Sequence, residues 1–458
     1  MTTPGQAPPP ARGPDLLTGP ILPTLLRLAS PNVAGLFAQT LTIAYDGFIV
    51  ARLGTEAVAA VALVFPLSML MVQLSRAAMG GGVASAVARA LGTGSPERAA
   101  AAAWHGIVIE LTMGVLLGAL LLGFGPALYR AMGGRGDVGA LAQSYALPLF
   151  AGACATWLHN ALAAIHSGSG NMRLPALCLL GNALCHVALC PALVFGIGPL
   201  PALGVAGASL SFVTLNAVFA CVLLRPLLGT RGPVRVAPAR LRRAPLVDVL
   251  KVGLPASVSP FISNGNVIIL TGYAGTFGAE TLAGYGVGAR LEYLLIPLVF
   301  GFGAALLAMV GRNVGAARHA HAARIAWVGS LTVGAVAGAI GVVLALFPSL
   351  WTHWFLPESA GTARGAADLY LRIAGVCYAP FGFGLAFFFA SQGAGRLLWP
   401  LVGSFARLAL AAAGGALAVR AGSLPLLYAV IAGSFVVYAL VPGIAFLRGA
   451  WNVRSPPT

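Results

Sequence analysis

Arg52-Leu53-Gly54-Thr55-Glu56-Ala57 decides how this chain is read, because its Gly-x-Glu core returns as Gly278-Ala279-Glu280, 224 residues further on. Working outward, Pro31 returns as Pro255 at the same spacing. One deleted residue later, Gly92, Trp104, Gly106, Gly152, Gly170 and Arg173 return as Gly315, Trp327, Gly329, Gly375, Gly393 and Arg396, each 223 residues on. Identical residue types held in frame over so long a stretch exceed what shared composition produces. The chain is a direct duplication, and a duplicated bundle of membrane helices is the signature of an alternating-access transporter with its substrate site between the halves.

Composition supplies the membrane. With 59% hydrophobic residues, 8% charged residues and a mean hydropathy of +0.90, the chain has too little polar surface for a water-soluble globule of 458 residues. Apolar runs near the ~20 residues needed to cross a bilayer recur throughout, and in lipid each can satisfy its own backbone only as a helix. Twelve are expected, six per repeat, near 23–51, 57–88, 99–124, 140–165, 174–197, 203–229, 249–275, 282–311, 321–348, 367–392, 396–420 and 424–448. The expected fold is an all-α integral membrane protein, two direct six-helix repeats around a central cleft.

The net charge of +16 raises the possibility of nucleic acid, but the arginines sit in alternate loops. Arg89 and Arg98 flank the second connection, Arg173 the fourth, Arg312, Arg318 and Arg324 the eighth, and Arg396 the tenth; Arg225, Arg231, Arg235, Arg240, Arg242, Arg243 and Lys251 crowd the sixth. Opposite loops pair Arg52 with Glu56, Arg135 with Asp137, and Arg364 and Arg372 with Glu358 and Asp368. The positive-inside rule then places both termini and the linker in the cytoplasm, and excludes nucleic acid as the reason for the charge. The organisation expected is a cytoplasmic tail over 1–20, an N-terminal lobe over 21–229, a Pro/Gly/Arg-rich linker over 230–247, a C-terminal lobe over 248–450 and a tail over 451–458. Residues 1–20 lack the basic region and cleavable apolar core of a signal peptide and read as a disordered tail.

Cys154, Cys178, Cys185, Cys190, Cys221 and Cys377 all fall inside expected spans at no zinc-like spacing, and read as small apolar side chains. No phosphate-binding glycine loop is present, so an ion gradient rather than ATP is expected to supply the energy, with no cofactor and no metal. A carboxylate inside a span is the usual handle for such a gradient. Asp46 lies in Gln39-Thr40-Leu41-Thr42-Ile43-Ala44-Tyr45-Asp46, with Thr42 one helical turn away and Gln39 two, on one face. A carboxylate there is expensive unless it lines a wet cavity or carries a proton. Asp46 is therefore a candidate proton switch, or else an acid holding two helices together. Glu110 and Glu292 are further intramembrane acids; Glu292 follows Arg290 and could form a local pair near a helix end.

At this point the chain resembles the multidrug and toxic compound extrusion (MATE) family of cation-coupled antiporters, from Pro31 to Arg448. The resemblance rests on Asp46 ahead of Leu53-Gly54, on Ala90-Leu91-Gly92-Thr93-Gly94, Gly168-Ser169-Gly170-Asn171-Met172-Arg173 and Gly204-Val205-Ala206-Gly207-Ala208, and in the second lobe on Gly253-Leu254-Pro255 and Val310-Gly311-Arg312-Asn313-Val314-Gly315-Ala316. It implies a cation site in the N-terminal lobe built on Asp46, Asn182 and a hydroxyl near Ser211. Many relatives carry an Asp four residues after that Asn, where this chain has His186. Sodium prefers hard oxygen ligands and imidazole handles protons near neutral pH, so proton coupling through Asp46 with help from His186 is expected. The alternative for His186 is a core histidine bonded to a neighbouring helix.

Relatives with a second cation site place acids at positions that fall here on about Ser263 and Phe381, so coupling is expected in the first lobe alone. Asn264 and Asn266 are expected to hydrogen-bond substrate or a neighbouring helix. The cleft is expected to be lined by Gln39, Thr42, Asn264, Asn266, Glu292 and Tyr293, with Phe48, Phe65, Tyr285, Phe383 and Phe387 offering rings to amphipathic organic cations. The function implied is export of small-molecule drugs or metabolites in exchange for protons, by a monomer in a bacterial inner membrane. One rival is a lipid-linked sugar flippase of the same superfamily, which would want more spans and a basic cavity, for which Arg290 and Arg407 are the candidates. The other is an integral-membrane enzyme using His159, His166 and His186.

Overall fold

The computed structural model describes residues 15–198, 200–229, 232 and 234–451. Eleven helices in it are long and apolar enough to cross a membrane, and two shorter ones bent by 45° against each other make a twelfth span. In order these are α1 (Ile21–Ala51), α2 (Thr55–Gly92), α3 (Pro96–Ala131), α4 (Gly136–Ala151 and Ala153–Gly168), α5 (Arg173–Phe195), α6 (Val205–Leu228), α7 (Arg243–Gly275), α8 (Ala279–Gly315), α9 (His319–Leu346), α10 (Gly361–Ala394), α11 (Leu398–Arg420) and α12 (Leu424–Leu447). The all-helical architecture follows from the solvent: lipid offers no partner for a backbone amide, so each apolar run closes its own hydrogen bonds.

The duplication is visible element by element. Gly54 and Gly278 stand just before α2 and α8 with φ of 107° and 104°, a region that favours glycine. The fourth helix of each lobe is interrupted at an equivalent place, α4 at Gly152 and α10 at the 3₁₀ turn Gly375–Cys377. That turn adds two residues, so the spacing beyond it is 225 and the pairing of Gly170 and Arg173 with Gly393 and Arg396 is two residues out of register. The equivalents by contact are Gly168 and Gly393, whose missing side chains let the backbones of Ala84 and Leu307 approach. Likewise Gly170 and Gly395, both with positive φ, end the two fourth helices.

The lobes meet at their arginine-rich ends. The repeat partners Gly92 and Gly315 face each other there: a Cβ on Gly92 would strike the Arg312 carbonyl and one on Gly315 the Arg89 carbonyl. Small residues at such a crossing let two helix backbones touch. Around it Ser85 donates to the Gln392 carbonyl at 2.6 Å and Gln392 Nε2 to the Ala77 carbonyl at 2.9 Å. Arg89 donates to Ser85 and, at 3.1 Å, to the Asp248 carboxylate, which also pairs with Lys251. Each buried bond contributes about 1 kcal/mol and would cost more if left unmade. Towards the other end Leu41, Phe48, Ile268 and Tyr293 are exposed.

Residues 15–20, expected within a disordered tail, form a turn docked on the second lobe. Asn313 donates to the Leu16 carbonyl at 2.8 Å and Arg318 to that of Leu17 at 3.0 Å. Residues 1–14 of the expected tail and 452–458 of the other lie outside the described residues. The expected linker is shorter than 230–247, since α7 begins at Arg243, and its described part packs on the first lobe. Val234 and Val236 are buried, and Trp104 Nε1 donates to the Ala239 carbonyl at 2.9 Å.

Candidate functional site

Asp46 lies five residues from the end of α1, about 7.5 Å along its axis. Its carboxylate is 27% exposed and meets His186 Nε2, on α5, at 2.6 Å; His186 is fully enclosed. The other ring nitrogen, Nδ1, lies 3.1 Å from Ser211 Oγ on α6. Cys190, one turn after His186, points its thiol at the same carboxylate oxygen at 3.5 Å. Three helices of the first lobe thus hold one chain of groups, Asp46 to His186 to Ser211.

The 2.6 Å contact needs a proton between oxygen and nitrogen. With one proton in the pair, Nε2 donates to the carboxylate and Ser211 donates to Nδ1; with two, either the imidazole or the acid is additionally protonated. The carboxylate oxygen, ring nitrogen and sulfur lie within 4.8 Å of one another. Only the first is a hard donor, which makes a poor cradle for sodium.

The remaining expected coupling residue, Asn182, is half-buried one turn before His186 and bonds to neither Asp46 nor His186. Thr42 shares the Asp46 face but spends its hydroxyl on the Ala38 carbonyl of its own helix, at 3.0 Å. Gln39 is not a partner of Asp46 either: it accepts a hydrogen bond from Arg76 of α2. That arginine belongs to a π-helical turn, Leu74–Met79, in which the Gly80 amide bonds Ser75 five residues back. Beside it, Ser75 donates to Glu110 at 3.0 Å and accepts from Asn160 at 3.1 Å, so buried Glu110 is a structural partner of the turn. Arg76, His159, Asn160, Asn32, Phe300 and Phe389 border a cavity of about 80 Å³ between the lobes.

The second lobe departs from several expectations. Glu292 accepts a hydrogen bond from Tyr370, which packs edge-on against Tyr285 and Tyr428. Arg407 lies 4.9–5.6 Å from the ring centres of Phe381, Phe435 and Tyr438. Tyr285, Phe383 and Phe387, offered as cleft rings, are in hydrophobic cores. Asn266 is buried, and exposed Asn264 bonds the Pro260 carbonyl of its own helix at 2.8 Å. Phe48, Phe65 and Tyr293 are exposed. Ser263 is exposed and Phe381 buried, neither carrying a charge.

The three histidines named for an enzyme do not converge: His166 bonds the Leu223 carbonyl at 2.9 Å, His159 borders the cavity and His186 faces Asp46. Of the cysteines, Cys185 and Cys221 are exposed on the apolar helix surface. Sequence reading missed Cys190 and Arg76. His186 and Cys190 at i and i+4 was an available signal for the first, and a lone arginine in the apolar run before Gly80-Gly81-Gly82 for the second.

The MatE family model matches this chain twice, over residues 31–192 and 255–417, beginning on the same prolines that open the repeat. The probable multidrug resistance protein NorM of Aromatoleum aromaticum is 32% identical over 68% of each chain. The FAD transporter of Shewanella oneidensis is 25% identical over 66% of this chain and 67% of its own. A solved structure described as the outward-facing conformation of a multidrug resistance MATE family transporter superposes with a TM-score of 0.88 at 26% identity, covering 97% of this chain and 99% of that one. With a family model covering both halves and a fold shared end to end, the chain belongs to the MatE family, the multidrug and toxic compound extrusion proteins, and is a multi-pass membrane transporter.

Proposed function

We propose that this transporter exports amphipathic, often cationic small molecules in exchange for protons, and that Asp46 and His186 are the coupling pair. The observation that carries the reading is the 2.6 Å contact between a partly exposed carboxylate and an enclosed imidazole. With one proton the pair is anionic and attracts a cation from the cleft. A second proton, taken up from the outside, neutralises it and favours release; losing that proton to the cytoplasm restores the site. Because the donor set is one oxygen, one nitrogen and one sulfur, protons suit it better than sodium. With the arginine-rich ends cytoplasmic, in a bacterial inner membrane, the closed end of the structure is the inner one and the cleft opens outward. The N-terminal lobe, linker and C-terminal lobe then act as rocking unit, hinge strap and second unit, in a monomer.

Against the flippase alternative, Arg407 is enclosed by three rings and Arg290 stacks on Phe355, so neither arginine lines a basic cavity. The relative named for FAD marks cargo as variable between similar transporters. The test is proton release on binding. Adding a cationic substrate such as ethidium to the full-length protein in weakly buffered detergent should release protons from the wild type and none from Asp46→Asn. Equal release from both would remove Asp46 from the coupling role, and binding without any release would remove proton exchange.

A further inference from the structure

The cavity at the floor of the cleft carries a charge that the coupling pair does not explain. Arg76 presents a guanidinium there, and among the described residues the only side-chain acceptor it meets is the neutral amide oxygen of Gln39. Among the described residues no carboxylate stands within ion-pair distance of it. Glu110, close by along the fold, directs one oxygen at Ser75 and leaves the other unpartnered. His159 is 3% exposed, borders the same cavity, and has an unpartnered Nδ1. A cation without a counter-charge inside a membrane protein is expensive and marks a ligand pathway by default. The π turn is the local device: its extra residue pushes the backbone outward, as such turns commonly do where a side chain must be presented.

We propose that Arg76, with His159 and Asn160, is an anion-recognising subsite at the floor of the cleft, so that the cargo is an amphiphile bearing a carboxylate or phosphate group as well as a cationic one. This rests on the small-molecule export reading and specifies its cargo. The geometry sets the spacing between the two ends. Gln39, which holds Arg76, lies seven residues before Asp46 on the same face of α1, about 10 Å along the axis. A zwitterion of that reach bridges both. Phe300 and Phe389, edge-to-face at 4.9 Å, supply an apolar wall of the cavity that Arg76 borders.

Affinity of the full-length protein in detergent is measured for two matched pairs, norfloxacin with its ethyl ester and flavin mononucleotide with riboflavin. A charge-assisted contact predicts that the anionic member of at least one pair binds about tenfold more tightly, and the pair that responds tells carboxylate from phosphate. Arg76→Gln should bring that ratio close to one, Arg76→Lys should keep part of it, and His159→Asn should lower it by about threefold, each with an unchanged melting temperature. A ratio near one in the wild type, or a ratio that survives Arg76→Gln, overturns the subsite. If the neutralised partners still bind and proton-driven export persists, the export reading stands without it. If neither pair binds and no export is seen, both fall.

Discussion

The two lobes share one fold, and they differ in what stands at equivalent points. Carried along the repeat, Asp46 falls on Leu270, His186 on Ala411 and Cys190 on Gly415, at spacings of 224, 225 and 225. Leu270 and Ala411 lie in the second lobe's hydrophobic core, and Gly415 is covered by the Tyr273 ring. Where the first lobe holds a titratable chain open to the cleft, the second holds packed apolar contacts, with its own ionisable groups, Glu292 and Arg407, wrapped in tyrosine and phenylalanine. Duplication supplied two scaffolds, and under the proposed function the first carries ion exchange while the second carries packed contacts at the same points. The closed ends, in contrast, stayed symmetric, Gly92 against Gly315.

The symmetric part gives the largest expected effect. Gly315→Leu forces a side chain into the Arg89 backbone, and Gly92→Leu does the same against Arg312; either should abolish export and leave cysteines placed at the arginine-rich end open to thiol reagents. If export survives in one of the two, the closure is not shared equally. In the second lobe, Arg407→Ala removes a cation from three rings and should cost about 3 kcal/mol of stability, read by denaturant unfolding. Asp46→Asn should cost less than about 1 kcal/mol, because that carboxylate is partly exposed; the reverse order would erase the contrast between the lobes. Asp248→Asn loosens a partly exposed ion pair, worth about 1 kcal/mol. The closed-to-open ratio should fall by about fivefold, seen as a broader spin-label distance between α2 and α7. Smallest of all, Glu292→Gln still accepts from Tyr370 and should leave proton-driven export within about twofold; a larger loss would give the second lobe a share in coupling.

How much of this was legible depended on how strongly lipid dictates it. The spans were legible to within about seven residues at either end, because an apolar run in a bilayer has one way to satisfy its backbone. Asp46 and His186 were each legible as candidates, and the contact between them came only with the packing of α1 on α5. Tyr285, Phe383 and Phe387 misled because hydropathy does not separate a helix face in a core from one in a cleft or in lipid: all three are apolar. Arg76 was hidden by the π turn, which breaks the helical phase on which sequence reading of α2 relies. The buried valines Val234 and Val236 were masked by the arginines and prolines around them.

The most direct test of the asymmetry is export of ethidium or norfloxacin from proteoliposomes, energised separately by a proton and a sodium gradient, for the wild type, Asp46→Asn and Glu292→Gln. The account predicts export driven by protons and not by sodium, reduced to the background of empty liposomes in Asp46→Asn and nearly unchanged in Glu292→Gln. Sodium-driven export, or proton-driven export that survives the loss of Asp46 and fails with that of Glu292, would contradict it.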